Sequence, residues 1–228
     1  MIVTQAFNMD CVEAMKQMED NAFDLAIVDP VYGDVTQGGY MTHNHGQRIG
    51  TGKANQKGYH AGLWNQGKTG GEYFKELLRV SRNQIVWGGQ YFTDDLPESQ
   101  CWIVWDKLHP EGITFADCEL AWTSFDEAAR VFRFRWNGMI QQNMKNKEER
   151  IHPTQKPVAL YKWLLQKYAE PGMKILDTHL GSGSSRIAAY DLGFDFVGYE
   201  IDKTYFDEQE ERFNNHRNQL NLFTDFGL

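Results

Sequence analysis

Two short stretches of this 228-residue sequence combine carboxylates, glycines and an aromatic residue in an order that can do chemistry. The first is Asp29-Pro30-Val31-Tyr32, which follows the apolar run Phe23-Asp24-Leu25-Ala26-Ile27-Val28. A carboxylate and the Pro30 carbonyl at a stiffened strand end present two hydrogen-bond acceptors. Such a pair suits the two protons of a ring amine, whose lone pair is otherwise delocalised into the ring. Tyr32 beside them can stack on that ring. The second stretch is Lys174-Ile175-Leu176-Asp177-Thr178-His179-Leu180-Gly181-Ser182-Gly183-Ser184-Ser185, a strand, a tight glycine turn and a helix start. Gly181 and Gly183 permit positive φ and let a ligand approach the backbone. Glu200 ends the next strand, where a carboxylate can accept both hydrogen bonds of a ribose diol. The turn lacks the third glycine of G-x-G-x-x-G, and Asp177 ahead of it suits a cationic ligand better than a pyrophosphate. The bland readings are an Asp-Pro turn start with Tyr32 capping the core, and a structural glycine turn.

These groups need elements to hold them. Residues 23–28 predict a buried parallel strand ending at Asp29. Met1 to Phe7 ends in a β-like run, Val12 to Met18 suits a short helix, and Tyr73 to Val80 carries a helical apolar stripe. Further strands are expected at Gln84 to Trp87, Cys101 to Trp105, Glu119 to Phe125, Met173 to Asp177 and Phe194 to Glu200. Helices are expected from Pro157 to Tyr168, Ser184 to Leu192 and Lys203 to His216. In Val131 to Trp136 apolar and basic residues alternate, so one face could pack while the other meets a polyanion. Alternating strands and helices of these lengths predict a three-layer α/β fold with a mostly parallel sheet. In such a sheet the two chemical stretches share the carboxyl edge. The glycine-rich stretch 33–71 reads as a long mobile loop in a single 1–228 domain.

Composition narrows the classes. Hydrophobic residues at 41% and charged residues at 24% read as an ordinary globular protein. No apolar stretch approaches a membrane span, and MIVTQAFNMD has no secretory pattern, so the expected location is cytoplasmic. Cys11, Cys101 and Cys118 lack C-x-x-C spacing, and His43 and His45 have no obvious further ligands, so no metal is expected. The net charge of −8 is unevenly spread. Arg48, Lys53, Lys57 and Lys68 outnumber Asp34 in the first loop. Arg130, Arg133, Arg135, Lys145, Lys147 and Arg150 outnumber Glu148 and Glu149 further on. Basic charge gathered on an acidic body fits two phosphate-contacting segments, or equally two solvated surfaces.

Taken together, these motifs resemble the amino methyltransferases of DNA, beta class, in which a D/S/N-P-P-Y motif precedes the cofactor glycine motif. The resemblance implies a Rossmann-like class I methyltransferase fold with a seven-stranded sheet and a circularly permuted motif order. It implies S-adenosyl-L-methionine as cofactor, double-stranded DNA as partner, no metal and no membrane. It leaves a homodimer and a restriction–modification setting open. Asp29, Pro30 and Tyr32 become the catalytic residues. His152-Pro153-Thr154-Gln155-Lys156-Pro157 looks like the lead-in that lines the methionine end of the cofactor, through His152 and Lys156. Asp10 would accept from the cofactor's adenine amino group, with Cys11 and Ile201 flanking the ring and Glu200 on the ribose. Asp177, Thr178, Leu180, Gly181, Ser182, Gly183 and Ser184 complete that site. Arg48, Lys53, Lys57, Arg133, Arg135, Lys145 and Lys147, in 33–71 and 126–150, are the candidate DNA contacts. Val31 departs from the family's second proline, and Thr178-His179-Leu180 from its commoner Pro-Phe-x; His179 reads as a packed residue rather than a general base. Asp29 favours adenine N6. The alternatives are cytosine N4, an RNA methyltransferase, a binding homologue that has lost turnover, and, more remotely, a nicotinamide-dependent oxidoreductase.

Overall fold

The computed structural model describes residues 2–32, 69–110, 116–137 and 140–225. Ten strands and five helices follow in order: β1 (Thr4–Phe7), α1 (Cys11–Met15), β2 (Phe23–Val28), α2 (Gly71–Val80), β3 (Ser81–Trp87), β4 (Trp102–Asp106), β5 (Cys118–Thr123), β6 (Arg130–Arg133), β7 (Trp136–Asn137), β8 (Ile140–Gln141), α3 (Val158–Tyr168), β9 (Lys174–Asp177), α4 (Ser184–Leu192), β10 (Asp195–Tyr199) and α5 (Lys203–Asp225). The main sheet runs β1-β10-β9-β2-β3-β5-β4-β6, and β7 and β8 form a separate pair. β1, β10, β9, β2 and β3 are mutually parallel, while β5 runs antiparallel between β3 and β4.

The sheet therefore has eight strands where seven were expected. The added strand is β6, which pairs parallel with β4 through Val104↔Val131 and its neighbours. The alternating run from Val131 stops pairing at Arg133, earlier than its pattern suggested, and Trp136 joins the small hairpin instead. Its side-chain alternation holds all the same. Phe132 and Phe134 pack against the core and stack on each other at 5.7 Å, while Arg133 and Arg135 stay exposed.

Strand pleating divides the core between two layers. Leu25, Ile27, Ile85, Trp87, Ile103, Trp105 and Ala121 face α3 and α4, among Leu160, Leu164 and Ala188. Ala26, Val28, Val86, Leu176 and Val197 face the opposite way, among Met15, Tyr73, Phe74 and Leu77 of α1 and α2. The central strands are covered on both faces, which is why their sequences are continuously apolar. The chain passes from β9 to β10 on one side and from β2 to β3 on the other. The direction of winding thus reverses between β9 and β2, where open α/β sheets bind ligands outside the strands' carboxyl ends.

Beyond β3 the chain turns at Gly88, φ +68°, into a short 3-10 turn, Gly89–Tyr91. A Cβ on Gly89 would sit 2.4 Å from Trp122 Cβ and 3.0 Å from the Trp122 amide nitrogen. Trp122 lies within β5 and its backbone has no room to retreat. Gly89→Ala is therefore expected to destabilise the protein by about 1–3 kcal/mol through overpacking. Thermal unfolding followed by circular dichroism should show a clear fall in Tm, and an unchanged Tm would refute this packing account.

Candidate active site

β2, β9 and β10 are neighbours in the sheet and end on the same edge, so Asp29, Asp177 and Glu200 lie along one rim. Asp29 follows β2, and its side chain is 17% exposed. Oδ2 accepts from Lys156 Nζ, whereas Oδ1 is buried with no hydrogen-bond partner among the described residues. Lys156 is itself 3% exposed, lies 3.2 Å from Glu119 Oε2, and sits over the Trp87 ring at 5.3 Å. Lys107 pairs with the other oxygen of Glu119.

Pleating explains this gathering. Asp29, Trp87, Lys107 and Glu119 are each an even number of residues from core positions on the α3/α4 face: Ile27, Ile85, Trp105 and Ala121. They continue that face to the rim of the sheet, Trp87 and Glu119 within their strands and Asp29 and Lys107 just past the ends of theirs. Because β5 is antiparallel, its first residues, including Glu119, meet the carboxyl end of β3. Burial holds the Asp29 carboxyl above the usual range, with Lys156 opposing that rise and Glu119 adding to it. Burial also pushes Glu119 up, but the two lysines outweigh it and bring its carboxyl down to about 2. Lys156 would lose affinity for its proton on burial alone. The two carboxylates reverse this and hold it firmly protonated.

Tyr32 stacks on Tyr91 at 4.7 Å and lies directly against Gly88, where a Cβ would come within 2.7 Å of the ring. Val31 O accepts from Thr69 N at 2.8 Å. This strand-end loop is thus fixed by contacts on both sides.

At the glycine turn, Gly181 and Gly183 adopt φ of +51° and +73°. Gly181 N donates to Glu200 Oε2 at 2.8 Å, and Asp202 N donates to Oε1 at 2.9 Å. His152 covers Gly181, its ring 3.6–3.8 Å from where a Cβ would stand. Its edge meets Tyr205 at 4.3 Å, and burial lowers its pKa to about 3. Asp177 is 2% exposed and accepts from Ser185 Oγ at 2.5 Å and His179 N at 3.0 Å. Burial raises its carboxyl to about 7, against those two hydrogen bonds and aided by Asp29 and Glu200. Leu180 is buried, its side chain against Gly198. Thr178 Oγ1 bonds Tyr73 OH at 2.6 Å and His179 Nδ1 at 2.9 Å. His179 is packed edge-on to Tyr73 and pushed down to about 4 by burial, as a packed residue should be.

Some expected residues have other partners. Ser182 and Ser184 hydrogen-bond each other at 3.1 Å, and Arg212 reaches Ser182 O and Ser184 Oγ while pairing with Glu148. Asp10 caps α1, with Oδ1 accepting from Val12 N and Glu13 N. Cys11 is half-buried and its thiol is pushed up to about 12, by burial first and by Asp10. Asn8 ties β1 to Glu200 O and Ile201 O, leaving Phe7, Met9 and Ile201 as exposed apolar side chains at two neighbouring strand ends. Arg133, 3.4 Å from Asp106, is exposed on the edge strand opposite β1, and Arg135, Lys145 and Lys147 are exposed as well. Arg48, Lys53 and Lys57 lie outside the described residues, as do His43 and His45. Glu119, Lys107, Tyr73, Tyr91 and Arg212 escaped the sequence reading. For Glu119 a signal existed, an acidic residue directly ahead of the apolar run Leu120-Ala121-Trp122.

The donor set suits a cationic, ribose-bearing ligand. A glycine turn offers backbone, Glu200 offers free lone pairs, Asp177 and Asp29 offer negative charge, and three apolar side chains could flank a flat ring. Among the described residues no group of three or more His, Cys, Asp or Glu could hold a metal, and no helix is long and apolar enough to cross a membrane.

A family model described as DNA methylase matches residues 86–211, beginning after Asp29. The Type II methyltransferase M.HpaI of Haemophilus parainfluenzae is 34% identical over 73 residues, 32% of this chain and 23% of that protein. The match thus spans under a quarter of that relative's length. Among solved structures, the M1.HpyAVI–SAM complex has a TM-score of 0.56 at 18% identity, covering 92% of this chain and all of the other. PvuII DNA methyltransferase (cytosine-N4-specific) gives 0.54 at 12% identity, over 96% and 93%. At these identities the structural likeness establishes the fold, a class I methyltransferase fold.

The raised Asp177 carboxyl has a consequence for stability. Its folded pKa of about 7 exceeds the ordinary value of 3.8, so between these the folded state binds more protons than the unfolded one. The contribution of Asp177 is least unfavourable below pH 4 and worsens as pH rises toward 7. Asp177→Asn, which cannot ionise, should gain stability relative to wild type across this window, by up to about 4 kcal/mol. Denaturant unfolding of both proteins at several pH values measures it, and a pH-independent difference would contradict it.

Proposed function

The chain belongs to the DNA methylase family, and from that premise we propose that it transfers a methyl group from S-adenosyl-L-methionine to the exocyclic amine of a flipped-out base in double-stranded DNA, adenine N6 before cytosine N4. One observation carries the reading. Asp29 stands at the end of the strand beside β9 with one carboxylate oxygen engaged and the other buried and, among the described residues, unpartnered. A buried acceptor without a donor is costly, and it calls for an N–H from a ligand.

When bound, the cofactor supplies an electrophilic methyl group; the chain's residues do the rest. Glu200 would take the ribose hydroxyls, the Gly181–Gly183 backbone would receive the ligand closely, and Asp177 would face its cationic end. Phe7, Met9 and Ile201 would flank the adenine. At the other side of the rim Asp29 Oδ1 and the Pro30 carbonyl would hold the two amine protons, favouring a tetrahedral nitrogen with its lone pair directed at the methyl carbon. Tyr32 would stack on the extruded base, offsetting part of the few kcal/mol that flipping costs. Bringing nitrogen and carbon to roughly 3–3.5 Å is then chiefly a matter of positioning. Asp at position 29 supports adenine within the resemblance, since the physical demands of the two ring amines are alike.

Tritiated-methyl transfer to duplex DNA and to RNA, followed by nucleoside analysis of the product, tests substrate and target atom together. N6-methyladenine in DNA is the expected product. Asp29→Asn should reduce transfer by about 10²-fold or more, as loss of a preorganised charged acceptor does, while cofactor binding persists. Methylated RNA alone, or full activity in Asp29→Asn, would defeat the reading.

The exposed arginines of β6 and the turn after it are proposed DNA contacts. Replacing Arg133 and Arg135 by serine should weaken DNA binding and reduce the slope of log K against log salt by about 0.9 per lost phosphate contact. Cofactor affinity should stay unchanged. Fluorescence anisotropy at several salt concentrations measures this, and an unaltered slope would remove β6 from the interface.

A further inference from the structure

Lys156 comes from the segment expected to line the methionine end of the cofactor, and its ammonium pairs with two carboxylates. It is held between Asp29 Oδ2 and Glu119 Oε2, over the Trp87 ring, in a nearly inaccessible position. An ammonium has three protons and no acceptor, so two carboxylates account for most of what it can donate. Resting on the methyltransferase reading above, we propose that Lys156 is a positioning residue for amine methylation. Anchored by Glu119, it fixes Asp29 through Oδ2 as a carboxylate and leaves Oδ1 alone to receive the target amine.

The chemistry requires this division. A buried carboxyl tends to keep its proton, because burial disfavours the charged form. A protonated Asp29 would be a donor, and it would compete for the lone pair that has to attack. An ionised Asp29 accepts from the amine instead and leaves that lone pair free. The nitrogen forms the new N–C bond as the donor's S–C bond breaks with its electron pair left on sulfur; one amine proton is then lost to solvent. While the nitrogen carries positive charge, Oδ1 faces it.

The groups bearing on Asp29 come from every neighbouring element. Lys156 precedes α3, Glu119 belongs to β5 and Lys107 follows β4. Asp177 ends β9, and Tyr32, Tyr73 of α2 and Tyr161 of α3 are held neutral, mainly by burial. The lysines favour the ionised form, while Glu119 and Asp177 oppose it. Lys107, bound to Glu119 on its far side, moderates that opposition.

The test is a carbon-13 carboxyl titration of the cofactor-free protein labelled at aspartate, with the Asp29 signal assigned by Asp29→Asn. Calorimetry with S-adenosylhomocysteine on the same variants accompanies it. Lys156→Met should raise the Asp29 midpoint by roughly 1–3 pH units, the effect of removing an adjacent opposite charge. Affinity for S-adenosylhomocysteine should hold. The kcat should fall about tenfold for each unit by which the midpoint exceeds the assay pH, and recover at alkaline pH with KM unmoved. Lys156→Arg should restore most of both. Lost S-adenosylhomocysteine affinity with an unmoved Asp29 midpoint would overturn the proposal and return Lys156 to the cofactor. Should Lys156→Met fail to fold, Glu119→Gln decides: removal of that anion should lower the Asp29 midpoint, and a fixed midpoint would overturn the coupling. Absence of S-adenosylhomocysteine binding to wild type would sink the methyltransferase reading instead, while leaving the titration result to judge this one.

Discussion

Negative charge crowded along one rim of a parallel sheet is the constraint around which this molecule is arranged. The order β10-β9-β2 sets the carboxylates of Glu200, Asp177 and Asp29 at adjacent strand ends, the first two buried and the third half-buried. Isolated buried charges of like sign are expensive, and their pKa values shift unless something compensates. The compensation differs at each position. Glu200 accepts from two backbone amides and keeps spare lone pairs. Among the described residues Asp177 has only neutral donors, and burial raises its carboxyl to about 7, so a cationic ligand would complete it. Of the three, Asp29 alone has a full positive charge from a described residue beside it.

The Asp29–Lys156–Glu119–Lys107 chain is formally neutral, with two of each sign. Buried ion pairs are weak evidence for stability, since desolvation offsets most of their attraction. Their value here lies in geometry: the chain crosses from the segment before α3 to β5 and β4, and so joins the parallel half of the sheet to its antiparallel edge. Removing Lys156, 3% exposed, would leave two largely covered carboxylates without their shared cation, which costs more than the intact network contributes.

Local features made much of this legible in sequence. The apolar run 23–28, the glycine turn at 181–183 and the acidic end of β10 each have a pattern contained within a few residues, and each lies where it was expected. The alternation from Val131 foretold which side chains pack, because period-2 facing is intrinsic to extended chain. It could not foretell that the pairing partner would be β4, which adds an eighth strand, nor that pairing would end at Arg133. Long-range pairing was the hidden quantity at the site as well. Lys156 is expected as a site residue from sequence, but 127 positions separate it from Asp29, and only the tertiary fold shows which carboxylates it meets. Ser182 and Ser184 show the same thing: their hydroxyls bond each other, and Arg212 of a distant helix donates to Ser184 Oγ and to the Ser182 carbonyl.

Val31 stands where the family has a second proline, and stiffness is the property at stake. Proline would fix φ at one residue. In its place the loop has tertiary contacts at three points: Val31 O bonded to Thr69 N, Tyr32 stacked on Tyr91, and the Tyr32 ring seated on Gly88. Gly88 is required twice over, by its positive φ and by the absence of a Cβ under that ring. Rigidity that the motif usually encodes within itself is thus supplied by β3 and the turn after it. The carboxylate is steadied by Lys156 and the aromatic ring by Gly88 and Tyr91, so both halves of Asp29-Pro30-Val31-Tyr32 depend on residues far away in sequence. The strand end places the motif, and these distant partners hold it there.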